Sequence, residues 1–553
     1  MKAAITAAIP ALLGLGALGG LGGCGSSTER GPSTPAGPGA PGAPAAAAAP
    51  GSGAAAMAGS GAAAATGSGA AAAAPGGPGS PGEPSGENVT ARVQAMNAAT
   101  YGRPTTQFRA GHVSPRAAPA AQRTATGFTV SFGSSAAVTT PTVYERAVIV
   151  SGGFSSKELY AFEATTGKSL WALDLDDDGP SSAACERGVC VVSTESCTLF
   201  AIAAETGKHL WSYWLGDPLT SAPTIANGRV FASYPAAGTA DGKAPPPGAT
   251  HVLAAFELAT GKILWQLWLE SDVMSAPVAV GEFVYATTFT GTVIKLEQAT
   301  GVVRYAMQAR ATSAPVVQFE GGVEQIYYTR RGADEEERAG GAAEMVIRAD
   351  HNHPKTKYQA AKKEAKYIDK DVQRRSAHAA KAAAEDSSNG FSGGAPAAAA
   401  AGYAFDNVGL ASVSSMQSFQ GSRIVKLKDR NVNTMGDEVI ATDSETGKTL
   451  WTYKLTGNLQ QQGGALGTAP LAAGGSILLG TLGGEVVRLD QKTGKRLATY
   501  AVGAPVRSQP VVANGWIYVG TDTGQLVAID TKDPTVTGWS TWGGNAQRTG
   551  LAR

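Results

Sequence analysis

The sequence predicts an all-β fold of stacked repeats, on three observations. A phrase built on Thr-Gly occurs six times, and four copies read Thr-Gly-Lys-x-Leu-Trp, ending at Trp171, Trp211, Trp265 and Trp451. The glycines of the phrase, Gly167, Gly207, Gly261, Gly301, Gly447 and Gly494, lie 40, 54, 40, 146 and 47 residues apart. Short apolar runs broken by Gly, Asn and Asp fill the intervals. A period of about 40 residues marks one supersecondary unit per repeat.

Each unit opens on a small residue and proline, as in Ser221-Ala222-Pro223, Ser275-Ala276-Pro277, Ser313-Ala314-Pro315 and Thr468-Ala469-Pro470. An apolar run follows, then a turn such as Asn227-Gly228 or Asn514-Gly515. In the last unit come an alternating strand, Trp516-Ile517-Tyr518-Val519, a turn at Asp522-Thr523-Gly524, and a strand from Gln525 to Asp530. The Thr-Gly turn then leads into a fourth strand, so the unit is a four-stranded antiparallel meander, a propeller blade. Six phrases mark six blades, and Thr537-Gly538-Trp539 reads as a degenerate seventh tail. The long gap after Gly301 exceeds two repeats, so one unmarked blade plus an insertion is expected there. The expectation is an eight-bladed β-propeller over residues 127–553, closed by a strand at Phe128–Phe132 that removes an exposed edge.

The tails Ala161–Trp171, Ala201–Trp211, Ala255–Trp265 and Ala441–Trp451 resemble the PQQ-like (quinoprotein-type) propeller repeat, whose tail reads Ala-x-Asp-x-x-Thr-Gly-x-x-x-Trp. Glu163, Glu257, Asp443 and Asp490 meet the acidic position, and Ala203 departs from it. Trp542–Gly550 is similar to a segment common at the ends of such propellers, and Gln107-Phe108-Arg109 is a fainter echo of an end motif. The resemblance implies that the repeated tryptophans pack between blades. It also implies one of two functions: a dehydrogenase holding pyrroloquinoline quinone and calcium on the propeller axis, or a cofactor-free scaffold of the BamB-like lipoprotein branch. The adjacent cysteine pair of the larger dehydrogenases has no counterpart, because Cys185, Cys190 and Cys197 are separated from one another. Neither the calcium ligands nor the catalytic Asp matches a motif in this chain.

Met1-Lys2 followed by an apolar run to Leu21 and by Leu21-Gly22-Gly23-Cys24 is similar to a lipoprotein signal peptide with its cleavage box, residues 1–24. Cys24 would carry the lipid. The following residue, Gly25, points to the outer membrane facing the periplasm. Residues 25–126 are expected to form a tether, almost pure Ala, Gly, Pro and Ser as far as about residue 90, followed by an irregular lead-in. Such a composition cannot offset its conformational entropy by burial. In an exported protein Cys185 and Cys190, flanking the turn Glu186-Arg187-Gly188, are placed to be bridged; a bridge among the three later cysteines leaves one thiol over.

The insertion, about residues 333–402, opens on Asp334-Glu335-Glu336-Glu337. Lys355 to Lys381 then reads as a basic helix with Tyr358, Ala361, Ala365, Ile368 and Val372 along one face. Net charge is +1, which gives no reason to expect nucleic acid. Glycine-rich Gly14–Gly19 lies in the leader, the Gly-x-Ser-x-Gly match at Gly390–Gly394 lies in a flexible tail, and His351-Asn352-His353 lacks a third ligand. No catalytic constellation assembles. The expectation is therefore a monomeric, lipid-anchored envelope scaffold that binds other envelope proteins and holds no cofactor. The alternatives are a quinone-dependent dehydrogenase and a ligand sensor using the central channel.

Overall fold

Alternation of apolar residues with tight turns produces the predicted meander. In one unit the strands Thr224–Ala226, Arg229–Pro235, His251–Glu257 and Ile263–Leu269 pair antiparallel in chain order. Asn227 and Gly228 join the first two with φ of 54° and 72°, the left-handed pair that matches the twist of a two-residue hairpin. The middle strands are buried almost throughout, as expected where neighbouring blades cover both faces of a sheet.

The computed structural model describes residues 88–105, 110–133, 136–153, 156–195, 198–215, 221–273, 275–309, 311, 313–330, 342–350, 353–363, 422–458 and 466–552, with the backbone alone for 330, 342–350 and 353–363. Six other sheets repeat the four-stranded order with their side chains described. They begin at Thr142–Tyr144, Ala184–Glu186, Val278–Val280, Val425–Lys426, Leu471–Ala473 and Val511–Ala513. Seven blades are thus described in full, where the repeat spacing predicted eight.

A further sheet, Val316–Glu320, Val323–Arg330, Ala342–Asp350 and His353–Lys363, occupies the place of the unmarked repeat. Its outer pair corrects the insertion expected at 333–402. His353–Lys363 is a strand running antiparallel to Ala342–Asp350, with Tyr358 opposite Arg348 and Ala361 opposite Met345, not the start of a helix. Lys and Ala favour a helix locally, but a sheet edge offers each residue ladder hydrogen bonds, and tertiary pairing overrides propensity. The rest of the expected helix lies outside the described residues.

Ring closure follows the expectation. Gly127–Ser131 pairs antiparallel with Gln525–Asp530, from Gly127 opposite Ile529 to Ser131 opposite Gln525. It therefore supplies the outer strand of the last blade, and Thr537-Gly538-Trp539 cannot. That phrase belongs to a different element: Trp539 is buried and its backbone bridges Val512 of the last blade's first strand.

The lead-in is more ordered than its composition suggested. Val89–Met96 is a helix capped by Asn88, whose side chain accepts from the Ala91 amide. Thr90 donates to the Ala306 carbonyl at 3.1 Å, and the Asn97 side chain spans the Trp268 amide and carbonyl at 2.7 and 3.1 Å. The chain then passes Thr239, Ser212 and Asp174 in turn before Gln122–Thr124 pairs with Gly127–Ser131. It runs against the blade order along the outer rim. The helix Val89–Met96 is the one helix among the described residues, and it is too short to cross a membrane.

Candidate functional site

The repeat residues hold the blades together. Trp171 donates through Nε1 to the Ala204 carbonyl of the next blade at 2.9 Å; Trp211 does so to Leu258 at 2.9 Å, Trp265 to Gln298 at 2.9 Å and Trp451 to Gln491 at 3.1 Å. Each indole lies over the next Thr-Gly turn. At Gly207, φ is 71° and an added Cβ would lie 2.8 Å from Trp171; at Gly301, φ is 72° and the Cβ would lie 2.7 Å from Trp265. Glycine is required there for both backbone and space. Trp211 and Trp451 lie equally close to Gly261 and Gly494, and Phe128 of the closing strand takes the same place over Gly167. Gly447 has the same turn, its amide bonded to the Asp443 carbonyl at 3.0 Å.

The acid of each turn is structural as well. The Asp443 carboxylate accepts from the Thr446 amide at 2.7 Å and from its hydroxyl at 2.8 Å. These bonds hold the Asp443 carboxyl below its ordinary range.

Tyr305 stands where the fourth tail would carry its tryptophan, and a polar cluster replaces the indole. Lys295 and Glu324, both buried, pair at 2.7 Å. Tyr285 and Tyr305 donate to the Glu324 carboxylate, Tyr305 at 3.2 Å, and the Lys295 ammonium lies 3.9 Å from the Phe283 ring centroid. Burial, reinforced by Glu324, pushes both phenols well above their ordinary value. The cluster bridges two sheets, and the burial of Lys295 and Glu324 makes it a structural lock. Sequence reasoning missed it; the only signal was the tyrosine in place of tryptophan.

The propeller axis is occupied by the chain's own C-terminus. The first strands of successive blades adjoin one another, so they line the centre. Ser540 accepts from the Val143 amide at 2.7 Å, Ala546 from Ile225 at 3.0 Å, Gln547 from Ala279 at 3.0 Å and Gly550 from Lys426 at 2.9 Å. Thr541 donates to the Ala183 carbonyl at 3.1 Å. Fourteen or so residues touching so many first strands must lie across the centre of the ring, by the reach of an extended chain. Arg548 is fully buried there and donates to the carbonyls of Pro223, Trp542 and Ser182 at 3.1, 3.3 and 3.2 Å. Burial alone lowers its pKa from the ordinary value.

Calcium requires several oxygen ligands with carboxylates among them. Among the described residues, no group of three or more His, Cys, Asp or Glu is placed to hold a metal ion. Cys185 and Cys190 form a disulfide across the hairpin they flank. Cys24, Cys197, His351 and Gln107-Phe108-Arg109 lie outside the described residues, and His353 is described in its backbone alone.

The sequence profile of the family described as outer membrane protein assembly factor BamB matches residues 155–244, 247–331 and 429–550, more than half of the chain. No curated protein matches it. Among solved structures, BamB from Moraxella catarrhalis is 14% identical, with 75% of this chain and 97% of that chain covered and a TM-score of 0.45. Quinohemoprotein alcohol dehydrogenase from Comamonas testosteroni is 13% identical, covering 73% and 76%, with a TM-score of 0.47. Sqt1 from Saccharomyces cerevisiae is 9% identical, covering 72% and 97%, with a TM-score of 0.47.

Proposed function

We propose a function from one premise: the chain belongs to the outer membrane protein assembly factor BamB family. On this reading it is a non-enzymatic scaffold of the bacterial cell envelope that binds other envelope proteins. Its propeller is tethered by lipid on Cys24 to the outer membrane. The observation that carries the reading is the C-terminal segment on the axis, with Arg548 held by three carbonyls. The dehydrogenase and sensor alternatives both place a ligand on this axis, where the described residues bring no group of three or more His, Cys, Asp or Glu together. A scaffold binds through its loops and rim and leaves the axis free to be filled for stability.

Titration of the purified protein with pyrroloquinoline quinone and calcium, followed by quinone absorbance, tests the reading. No stoichiometric uptake and no alcohol oxidation are expected; micromolar uptake would establish the dehydrogenase instead. The anchor has its own test. Cys24→Ala should move the protein from the membrane fraction to the soluble fraction without changing its melting temperature, because the tether separates lipid from propeller. Retention on membranes after a high-salt wash would show another anchor.

A further inference from the structure

Arg548 is completely buried on the axis, yet among the described residues no carboxylate pairs with it, and burial is the one influence on its ionisation. The other buried cations of this kind have an acid. Lys295 faces Glu324 at 2.7 Å, and the largely buried Arg488 faces Asp533 at 2.8 Å. The carbonyls of Pro223, Trp542 and Ser182 solvate the Arg548 guanidinium but leave its positive charge uncancelled. A charge taken out of water is costly unless an opposite charge accompanies it.

The same place holds surplus hydrogen-bond donors. A guanidinium carries five N–H groups and accepts nothing. Nε, Nη1 and Nη2 each make one of the three bonds to carbonyls, so Nη1 and Nη2 each keep a second N–H. Trp542, whose carbonyl takes the Nη1 bond, is buried, and its indole Nε1 has no partner among the described residues. Ser221 lies two residues before Pro223, whose carbonyl takes the Nε bond, and its buried hydroxyl has no partner there either. Buried polar groups left over in a folded protein call for a water or an ion. Water satisfies a donor, but it brings hydrogens that need acceptors of their own and no charge. An anion accepts only, and it cancels the charge as well.

We infer that the propeller axis holds a small monovalent anion, a halide, against Arg548, the Trp542 indole and the Ser221 hydroxyl. Chloride has the matching chemistry. Its single charge balances one guanidinium, it accepts from several donors in any direction, and it asks for no acceptor in return. Sulfate would bring a second charge with no second cation to meet it. The ion is enclosed as the C-terminal segment crosses the first strands, so it completes the fold at the centre of the ring. This site goes beyond the scaffold reading and does not depend on it.

The test is thermal unfolding of the full-length protein in sodium gluconate, with chloride replacing gluconate at constant ionic strength. The melting temperature should rise by about 3 °C and level off, as a ligand bound only by the folded state requires. Bromide should act like chloride, and sulfate should not. Crystals grown with bromide as the sole halide should show its anomalous scattering within hydrogen-bond reach of the Arg548 guanidinium. Trp542→Phe and Ser221→Ala each remove one donor and should raise the half-saturating chloride concentration about tenfold. Arg548→Met should lose the chloride dependence altogether. A melting temperature that does not distinguish chloride from gluconate, bromide found only elsewhere on the protein, or unchanged half-saturation in both donor variants would overturn the proposal. The two measurements on the unaltered protein decide the matter even where a variant fails to fold.

Discussion

At the residue scale the fold depends on a few side chains that make one directed bond inside an apolar contact. Trp171 is an example: its ring fills the space over Gly207 and its N–H satisfies the Ala204 carbonyl. Trp171→Ala should cost about 3–5 kcal/mol, the range for removing a buried aromatic side chain, measured by denaturant unfolding. Trp171→Phe should cost less, because the apolar contact remains and only the hydrogen bond is lost. Asp533 gives a pH-dependent case. Hydrogen bonds from Thr535 and then Arg488 hold its carboxyl down to about 2. A depressed carboxyl stabilises the fold above the ordinary carboxylate range and loses that contribution as pH falls toward the folded value. Asp533→Asn should therefore lower the melting temperature at neutral pH, with the deficit shrinking below the ordinary range and vanishing near pH 2. A deficit independent of pH would show that charge is not the cause.

At the scale of elements, the blade interfaces use two solutions. Where the repeat is complete, an indole docks on a glycine turn. Where Tyr305 replaces it, Lys295 and Glu324 pair within an aromatic surround. Removing one member of a buried pair strands the other charge, so Glu324→Gln should destabilise by about 3–5 kcal/mol. The double variant Lys295→Met, Glu324→Leu should recover much of that loss, since two apolar side chains leave no charge buried. Equal losses from single and double variants, in equilibrium unfolding, would mean that packing and not charge sets the cost. The strands Ala342–Asp350 and His353–Lys363 illustrate the opposite balance. Their composition favours a helix, but they complete a sheet that Val316–Glu320 and Val323–Arg330 begin.

At the scale of the whole molecule, both ends of the described chain close the ring. Gly127–Ser131 joins the last blade to the beginning of the chain, and the segment from Trp539 to Leu551 ties the first strands together at the centre. Truncation after Thr535 should therefore destabilise every blade at once, and not the last one alone. Thermal unfolding should shift down as a single transition or broaden through loss of cooperativity. A truncated protein melting within a few degrees of the parent would show that the axial segment is an ornament. Arg548→Met, which keeps the length and removes the three donors, separates the bonds from the filling.

The sequence by itself determined the repeat and the meander within it. These are local: the period, the turn glycines and the alternation of apolar residues are all written within about 40 consecutive positions. Only the tertiary structure decided the course of the lead-in along the rim, the Lys295–Glu324 lock and the seat of the C-terminal segment. The first and last depend on residues far apart in the chain, such as Thr90 with Ala306 or Arg548 with Pro223, and the lock depends on which side chains two adjacent blades bring together. Two local readings failed for the same reason. Thr537-Gly538-Trp539 looked like a blade tail, but the outer position was already taken by a strand 400 residues earlier, and Lys355 onward looked helical until a neighbouring strand offered it a ladder. Local pattern sets what a segment prefers, and the partner that satisfies its backbone and apolar surface sets what it becomes.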